Sequence, residues 1–399
     1  MEVTIKNTPL AGEITVPPSK SDAHRALICS ALADEPVVIK LNSGNEDIDA
    51  TIRCLRALGA KIEKNEQGLK VIPIAKKAES PVLDCGESGS TLRFLLPVAA
   101  ARADNARFEG QGRLPDRPIG DVLSAFEENG CSASSKIIPL SLQGSLRAGV
   151  FRIPGDVSSQ FVSGLLMVLP ILKGDSRIVL TTPLESAAYV DMTINTLKRF
   201  GIQIVGNSDG YSVTGGQIYK SPGEYEVEGD WSGAAFFVAA DMMGGSVEIN
   251  GLRSDSAQPD KAIAGFKKVL PDEVDVAEFP DIFPILAVLA CSKRGDTLLK
   301  GAARLRIKES DRIAETARFI TDLGGDVDDG EDFLLIHGRG RLKGGITNSA
   351  YDHRIAMSAA IAAGICDSPV TVTGAEAVNK SFPGFWEEIS KLEQRKGEN

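Results

Sequence analysis

The sequence is poor in the residues that metal, redox and disulfide chemistry draw on. Only three histidines occur, His24, His337 and His353, and none stands at metal-ligand spacing from another. The six cysteines, at 29, 54, 85, 131, 291 and 366, include no C-x-x-C pair. That is the pattern of reduced thiols, not of a disulfide frame or a zinc site. Apolar stretches such as Leu165 to Leu172 are far too short to span a bilayer. Positive charge is also in deficit. A net charge of −10 argues against non-specific nucleic-acid binding, which needs a basic surface. A small anionic ligand stays compatible, because a few arginines can reverse the potential inside one cleft. No signal or transit segment precedes the strand-like Glu2-Val3-Thr4-Ile5, so a cytoplasmic location is expected. What remains is a globular chain of 399 residues, 43% hydrophobic and 25% charged, long enough for two domains with their own cores.

What the sequence does have is an internal period. Pro17-Pro18 stiffens an extended entry to Ser19-Lys20-Ser21-Asp22-Ala23-His24-Arg25, where good N-cap residues precede small residues at helical spacing. Comparable polar helix starts recur at Ser88-Gly89-Ser90, Ser158-Ser159-Gln160, Asp230-Trp231-Ser232, Pro280-Asp281 and Asp352-His353-Arg354. With Ser19, Ser88, Ser159, Ser232, Asp281 and Asp352 as markers, the intervals are 69, 71, 73, 49 and 71 residues. Each repeat reads as polar loop, helix, strand, helix, strand, strand, and the short interval matches loss of a hairpin around Val269 to Ala277. The expected fold is therefore α/β, six repeats packed as two sets of three. The division falls near Gly229-Asp230, after the extended-looking Gly223 to Gly229.

The helix starts carry the candidate chemistry. A helix N-terminus favours anions through its free N–H groups and dipole. Here it is accompanied by Lys20, Ser21 and Arg25, by Gly89 and Arg93, by Ser158, Ser159 and Gln160, and by Asp352 and Arg354. Arg113-Leu114-Pro115-Asp116-Arg117-Pro118 adds a rigid loop with two arginines. Lys308-Glu309-Ser310-Asp311-Arg312 opens another helix, and Asn379-Lys380-Ser381 precedes the last one. Bidentate arginines with mobile lysines suit phosphate and carboxylate groups.

In this order, from Val3 to Phe385, these motifs resemble the 5-enolpyruvylshikimate-3-phosphate synthases, the 3-phosphoshikimate 1-carboxyvinyltransferases of aromatic amino-acid biosynthesis. The resemblance implies a two-domain inside-out α/β barrel of six repeated α/β units, three per domain. One domain is discontinuous, 1–19 with 230–399, and the other is 20–229, with hinge crossovers near 19–20 and 229–230. It also implies transfer of the enolpyruvyl group of phosphoenolpyruvate to the 5-hydroxyl of shikimate 3-phosphate, with release of phosphate. Asp281 is then the expected base, and Glu309 with Lys20 the acid/base pair. By motif position Lys20, Ser21, Arg25, Ser158, Ser159, Gln160, Ser186, Tyr189, Asp281 and Lys308 hold shikimate 3-phosphate. Lys20, Gly89, Arg93, Arg117, Gln160, Arg312, Asp352, Arg354 and Lys380 hold phosphoenolpyruvate. The implied enzyme is a monomer with small-molecule substrates, no metal or organic cofactor, and no nucleic-acid or membrane partner.

Two other readings compete. The sister transferases acting on UDP-N-acetylglucosamine carry a reactive cysteine five residues before the arginine of the Arg-Pro loop, where this chain has Gly112. A non-catalytic repeat protein binding phosphorylated ligands gains nothing from carboxylates such as Asp281 and Glu309 among its cations. Each site residue also has a plain structural reading: Asp281, Ser158 and Ser159 as caps, Glu309 as a partner for Arg312, Tyr189 as packing. Glu87 and Arg304 stand where relatives often have asparagine, and they leave the contacts there open.

Overall fold

The structure, a computed structural model, describes residues 1–41 and 43–394. It divides into two compact units. Pro18–Glu228 forms one, and Met1–Pro17 with the chain from Gly229 forms the other.

The continuous unit contains α1 (Lys20–Leu32), α2 (Glu46–Ala57), α3 (Gly89–Arg102), α4 (Gly120–Glu128), α5 (Ser159–Val168) and α6 (Ala187–Arg199). Local chemistry starts most of them. The side chains of Ser19, Asn45, Ser88 and Ser158 accept backbone N–H bonds from the first turns of α1, α2, α3 and α5. α1, α3 and α5 bury nearly every residue, charged ones included, as expected for helices that are small or apolar all round. α2, α4 and α6 bury one face only.

Three four-stranded sheets share one design, in which a parallel pair is extended by an antiparallel hairpin. Val82–Asp84 runs parallel to Asn105–Glu109, which pairs with Leu140–Gly144 and, through it, Cys131–Ala133. Val150–Ile153, Ser176–Leu180, Gly210–Val213 and Val205–Asn207 repeat the order. The third sheet takes its parallel strand, Glu224–Glu226, from the far end of the segment and pairs it with Val37–Lys40. One apolar core, from Ala23 to Val227, runs through all three repeats.

The split unit contains α7 (Trp231–Met242), α8 (Phe283–Ser292), α9 (Arg312–Asp322), α10 (His353–Ala362) and α11 (Phe385–Gln394). Asp230, Asp311 and Asp352 cap α7, α9 and α10, and α7, α8 and α10 are the fully buried helices. Only one of its sheets is complete, in the order Glu273–Asp275, Arg294–Lys300, Leu334–Arg339, Val327–Asp329. The shortened repeat expected from the 49-residue interval lies here. Between α7 and α8 a 3-10 helix, Pro259–Lys267, replaces the second α-helix, and no hairpin follows it. That repeat keeps only Ser246–Asn250, paired in parallel with Ala11–Thr15. In the last repeat Val370–Thr373 takes its antiparallel neighbour from Glu2–Ile5. The N-terminal strands thus complete two sheets that their own repeats leave short.

Small residues set the helix spacing in the continuous unit. A Cβ on Gly164 in α5 would lie 2.7 Å from the Arg93 carbonyl oxygen, 3.1 Å from Pro97 and 3.3 Å from the Phe94 backbone in α3. Gly164→Ala gains helix propensity worth about 1 kcal/mol, but it must push apart two close-packed backbones. The expected net effect is a loss of about 1–3 kcal/mol, read as a lower urea midpoint at unchanged slope.

Candidate active site

In the continuous unit the cations gather at helix starts. Lys20, the first residue of α1, pairs through Nζ with Asp47 Oδ2 at 2.9 Å. Asp47 lies in the first turn of α2, and its carbonyl accepts a bond from Thr91 Oγ1 at 3.3 Å. Thr91 also donates to Ser88 Oγ at 2.8 Å and lies 2.7 Å from Thr51 Oγ1, which lies 2.8 Å from His24 Nδ1. Burial pushes the His24 pKa down to about 3, so this buried chain of hydroxyls ends on a neutral ring.

Gly89 opens α3, and its missing side chain matters. A Cβ there would overlap Arg117 Nη1 and sit 3.2 Å from Arg93 Nη1, so both guanidinium groups lie over the helix N-terminus. Arg93 Nη1 donates to Gln160 Oε1 at 3.0 Å, and Gln160 Nε2 donates to Ser90 Oγ at 2.8 Å. Guanidinium groups at the positive end of a helix suit an anionic ligand. Arg25 is used differently. Buried above Phe94, it donates to Thr193 Oγ1 at 2.7 Å and to the carbonyls of Ser21 and Tyr189 at 2.5 and 2.8 Å. It therefore ties α1 to α6, and burial lowers its pKa to about 10. Ser186 precedes α6 in a left-handed conformation, φ 55°, and gives no cap bond.

In the split unit one guanidinium organises the cluster. Arg312, the first residue of α9 and almost fully buried, donates from Nε to Asp352 at 2.9 Å, from Nη1 to Asp281 at 2.8 Å and from Nη2 to Glu309 at 2.7 Å. Asp352 is fully buried. It accepts from Ser310 Oγ at 3.0 Å as well and caps α10 at the Arg354 N–H. Asp281 sits in a short 3-10 turn, Pro280–Ile282, before α8 and makes no cap bond. Its carboxylate is shared between Arg312 and Arg354 Nη2, the latter at 3.3 Å. Burial works against ionisation of Asp281, but Arg354, Arg312 and Lys308 overcome it and hold its pKa far below the usual carboxylate range. Lys308 is pushed the other way. Burial, with help from Arg312 and Arg304 and against the pull of Asp281, lowers its pKa to about 8. Buried Nε and Nη1 of Arg354 have no hydrogen-bond partner among the described residues.

A family model described as EPSP synthase (3-phosphoshikimate 1-carboxyvinyltransferase) matches residues 5–269 and 263–389. A 3-phosphoshikimate 1-carboxyvinyltransferase from Clostridium acetobutylicum is 42% identical over 408 residues, covering 96% of this chain and 95% of that one. The chain belongs to the EPSP synthase family. The solved EPSP synthase from Acinetobacter baumannii superposes with a TM-score of 0.80 at 25% identity, covering 98% of both chains. The enolpyruvyl transferase NikO from Streptomyces tendae shares the fold at a TM-score of 0.78 and 17% identity.

For a member of the EPSP synthase family, this architecture is the family's mixed α/β fold of repeated sheet–helix units. The described strands form separate sheets and not one closed hydrogen-bonded barrel. Within the split unit, Asp281, Glu309, Arg312, Asp352 and Arg354 form one connected set, with Lys308 in its field. Lys380 ends the 3-10 stretch Ala375–Lys380. Within the continuous unit, Gly89, Arg93, Arg117 and Gln160 form a second set, Lys20 is held by Asp47, and Ser158 caps α5 ahead of buried Ser159. At Gly112, φ is 61° and a Cβ would come within 2.5 Å of the Glu87 carboxyl group, so a side chain there is doubly disfavoured. Arg304 donates to the Ala277 carbonyl at 2.8 Å, just ahead of Asp281. Sequence reasoning missed Asp47 and Asp260. Neither stands in a motif of its own, and only tertiary packing brings Asp47 to Lys20 and Asp260 to Ser232. Among the described residues no group of three or more His, Cys, Asp and Glu could hold a metal, and no helix is long and apolar enough to cross a membrane.

Arg312→Ala removes one counterion from three carboxylates, one of them fully buried. A loss of about 3–5 kcal/mol is expected, measured by urea unfolding at pH 7. The deficit should shrink on acidification, because a protonated Asp281 no longer needs the cation.

Proposed function

We propose that the chain transfers the enolpyruvyl group of phosphoenolpyruvate to the 5-hydroxyl of shikimate 3-phosphate with these residues in the following roles. Ser21, Arg25, Ser158, Ser159, Ser186, Tyr189, Asp281 and Lys308 hold shikimate 3-phosphate. Gly89, Arg93, Arg117, Arg312, Asp352, Arg354 and Lys380 hold phosphoenolpyruvate, and Lys20 and Gln160 serve both. The observation that carries this reading is a reactive-type carboxylate, Asp281, clamped between two arginines beside a second carboxylate, Glu309. A pure anion binder would not spend its guanidinium groups on acids.

The same clamp suggests how the base is switched on. With both arginines on Asp281, its carboxylate is too weak a base to deprotonate an alcohol. When the anionic groups of the substrates draw Arg312 and Arg354 to themselves, burial is left as the dominant influence and the pKa climbs. Asp281 then takes the proton of the 5-hydroxyl while that oxygen adds to C2 of phosphoenolpyruvate. Glu309 and Lys20 deliver a proton to the C3 methylene. Loss of a methyl proton and of phosphate from the tetrahedral adduct restores the double bond. Charge building on the adduct is met by cations already in place. Asp352, with both oxygens committed to Ser310, Arg312 and the α10 N-terminus, acts by holding Arg312.

The six cysteines are all free and buried, which accords with a reducing compartment. The reading accordingly includes a cytoplasmic location, together with the monomer that the resemblance implies.

Phosphate release from phosphoenolpyruvate should depend on shikimate 3-phosphate and not occur with UDP-N-acetylglucosamine; turnover with the nucleotide sugar alone would overturn the assignment. In the same assay Asp281→Asn should lower kcat by about 10²–10⁴ with substrate binding retained. Lys308 supplies a pH signature. Its charged form binds the substrate anion and is lost as pH rises through about 8. So kcat/KM for shikimate 3-phosphate should fall above that pH, and Lys308→Arg should carry the fall to higher pH. An unchanged profile in the arginine variant would remove Lys308 from the binding step.

A further inference from the structure

Asp22 belongs to the first helix-start motif, yet the substrate roles proposed above do not use it. Ser19 caps α1, its Oγ accepting the Asp22 N–H at 3.4 Å, so the Asp22 carboxylate is left for other contacts. The residue is buried, and both of its oxygens face one short segment at the far end of the continuous unit. Oδ1 accepts the Tyr225 hydroxyl at 2.6 Å, and Oδ2 accepts the Glu228 N–H at 3.1 Å. The Glu228 carbonyl in turn accepts the Ser19 N–H at 2.7 Å. Burial pushes the Asp22 pKa up, and the two donors, with the charges of Arg199 and Arg25 behind them, work against that rise. Tyr225 carries the contact on to α6. The Arg199 guanidinium lies 3.6 Å from its ring centroid, and Thr196 Oγ1 lies 3.5 Å from its hydroxyl. Arg25, three residues along α1 from Asp22, reaches the same helix by another route, through Thr193 Oγ1 and the Tyr189 carbonyl. α1 and α6 are thus joined twice, once through Arg25 and once through Asp22 and Tyr225.

We propose that Asp22 is a positioning residue for the shikimate 3-phosphate site, fixing the start of α1, with Lys20 and Ser21, against α6 through Tyr225. A carboxylate suits this place because a hydroxyl and an N–H approach different oxygens, and each needs an acceptor. Asparagine offers one acceptor and turns its own N–H groups on the other donor. Without the carboxylate, the tie through Arg25 remains, but it lies one turn further along α1. The first turn is then held from one end and shifts. A displacement of about 1 Å away from the chemistry costs up to ~10²-fold in rate. The inference rests on Ser21, Arg25 and Tyr189 binding shikimate 3-phosphate, as proposed above.

The test is calorimetric binding of shikimate 3-phosphate alone to the full chain, so that no turnover intervenes, with urea unfolding of each variant alongside. Asp22→Asn should raise the Kd about tenfold, and Tyr225→Phe, which withdraws one of the two donors, about threefold. The double variant should bind no more weakly than Asp22→Asn, because the Tyr225 hydroxyl acts through Asp22. Tyr219→Phe is the control. It removes an equally buried hydroxyl of the same core, one bonded to the Met167 carbonyl at 2.6 Å, and should leave the Kd native. A merely structural Asp22 predicts lower urea midpoints with a native Kd in every folded variant. That result, or equal weakening by the two phenylalanine variants, overturns the proposal while leaving the enolpyruvyl transfer reading intact. Absence of shikimate 3-phosphate binding by the native protein, together with absence of phosphate release dependent on it, overturns both. Should the asparagine variant fail to fold, Tyr225→Phe against Tyr219→Phe decides alone.

Discussion

The Arg312 guanidinium is the contact on which the split unit's chemistry depends. Its three nitrogens each bond a different carboxylate, and those carboxylates come from the turn before α8, the loop before α9 and the cap of α10. One planar cation therefore registers three helix starts against one another. It can do so because guanidinium presents its donors in a rigid fork that a lysine ammonium cannot reproduce. The charges nearly cancel, and this lets so many ionised groups sit together with Arg312 itself 1% exposed.

The continuous unit solves the opposite problem. Around Gly89 two guanidinium groups, of Arg93 and Arg117, stand on the positive end of α3. Gln160, itself bonded to Ser90, holds Arg93 Nη1 by a neutral tether. Lys20 is paired with Asp47. One set of cations is thus held by its own carboxylates, and the other gathers at a helix N-terminus.

Much of this was legible because capping is local. Ser19, Ser88, Ser158, Asp230 and Asp352 announce helices by chemistry confined to four residues, and they cap as their type suggests. The α/β repeat followed from their spacing. The weakened repeat was visible as a short interval, but not the 3-10 helix that fills it, because helix pitch there depends on what packs against Pro259–Lys267. Asp281 looked equally like a cap, yet its oxygens bond two arginines 31 and 73 residues away. Arg25 reads in sequence as a cation at a helix start, and only packing shows that it also bonds three protein oxygens between α1 and α6.

Residue type and order by themselves determined the α/β class, the repeat, the helix starts and the family, since each rests on short-range preference or on motifs read along the chain. Tertiary structure alone decided which charges meet. Asp260 and Asp47 carry no signal in their own neighbourhoods, and Asp352 reads as a cap whether or not it also holds Arg312. The field at a buried group is summed over neighbours that packing brings from distant parts of the sequence, so it exists only once the chain is folded.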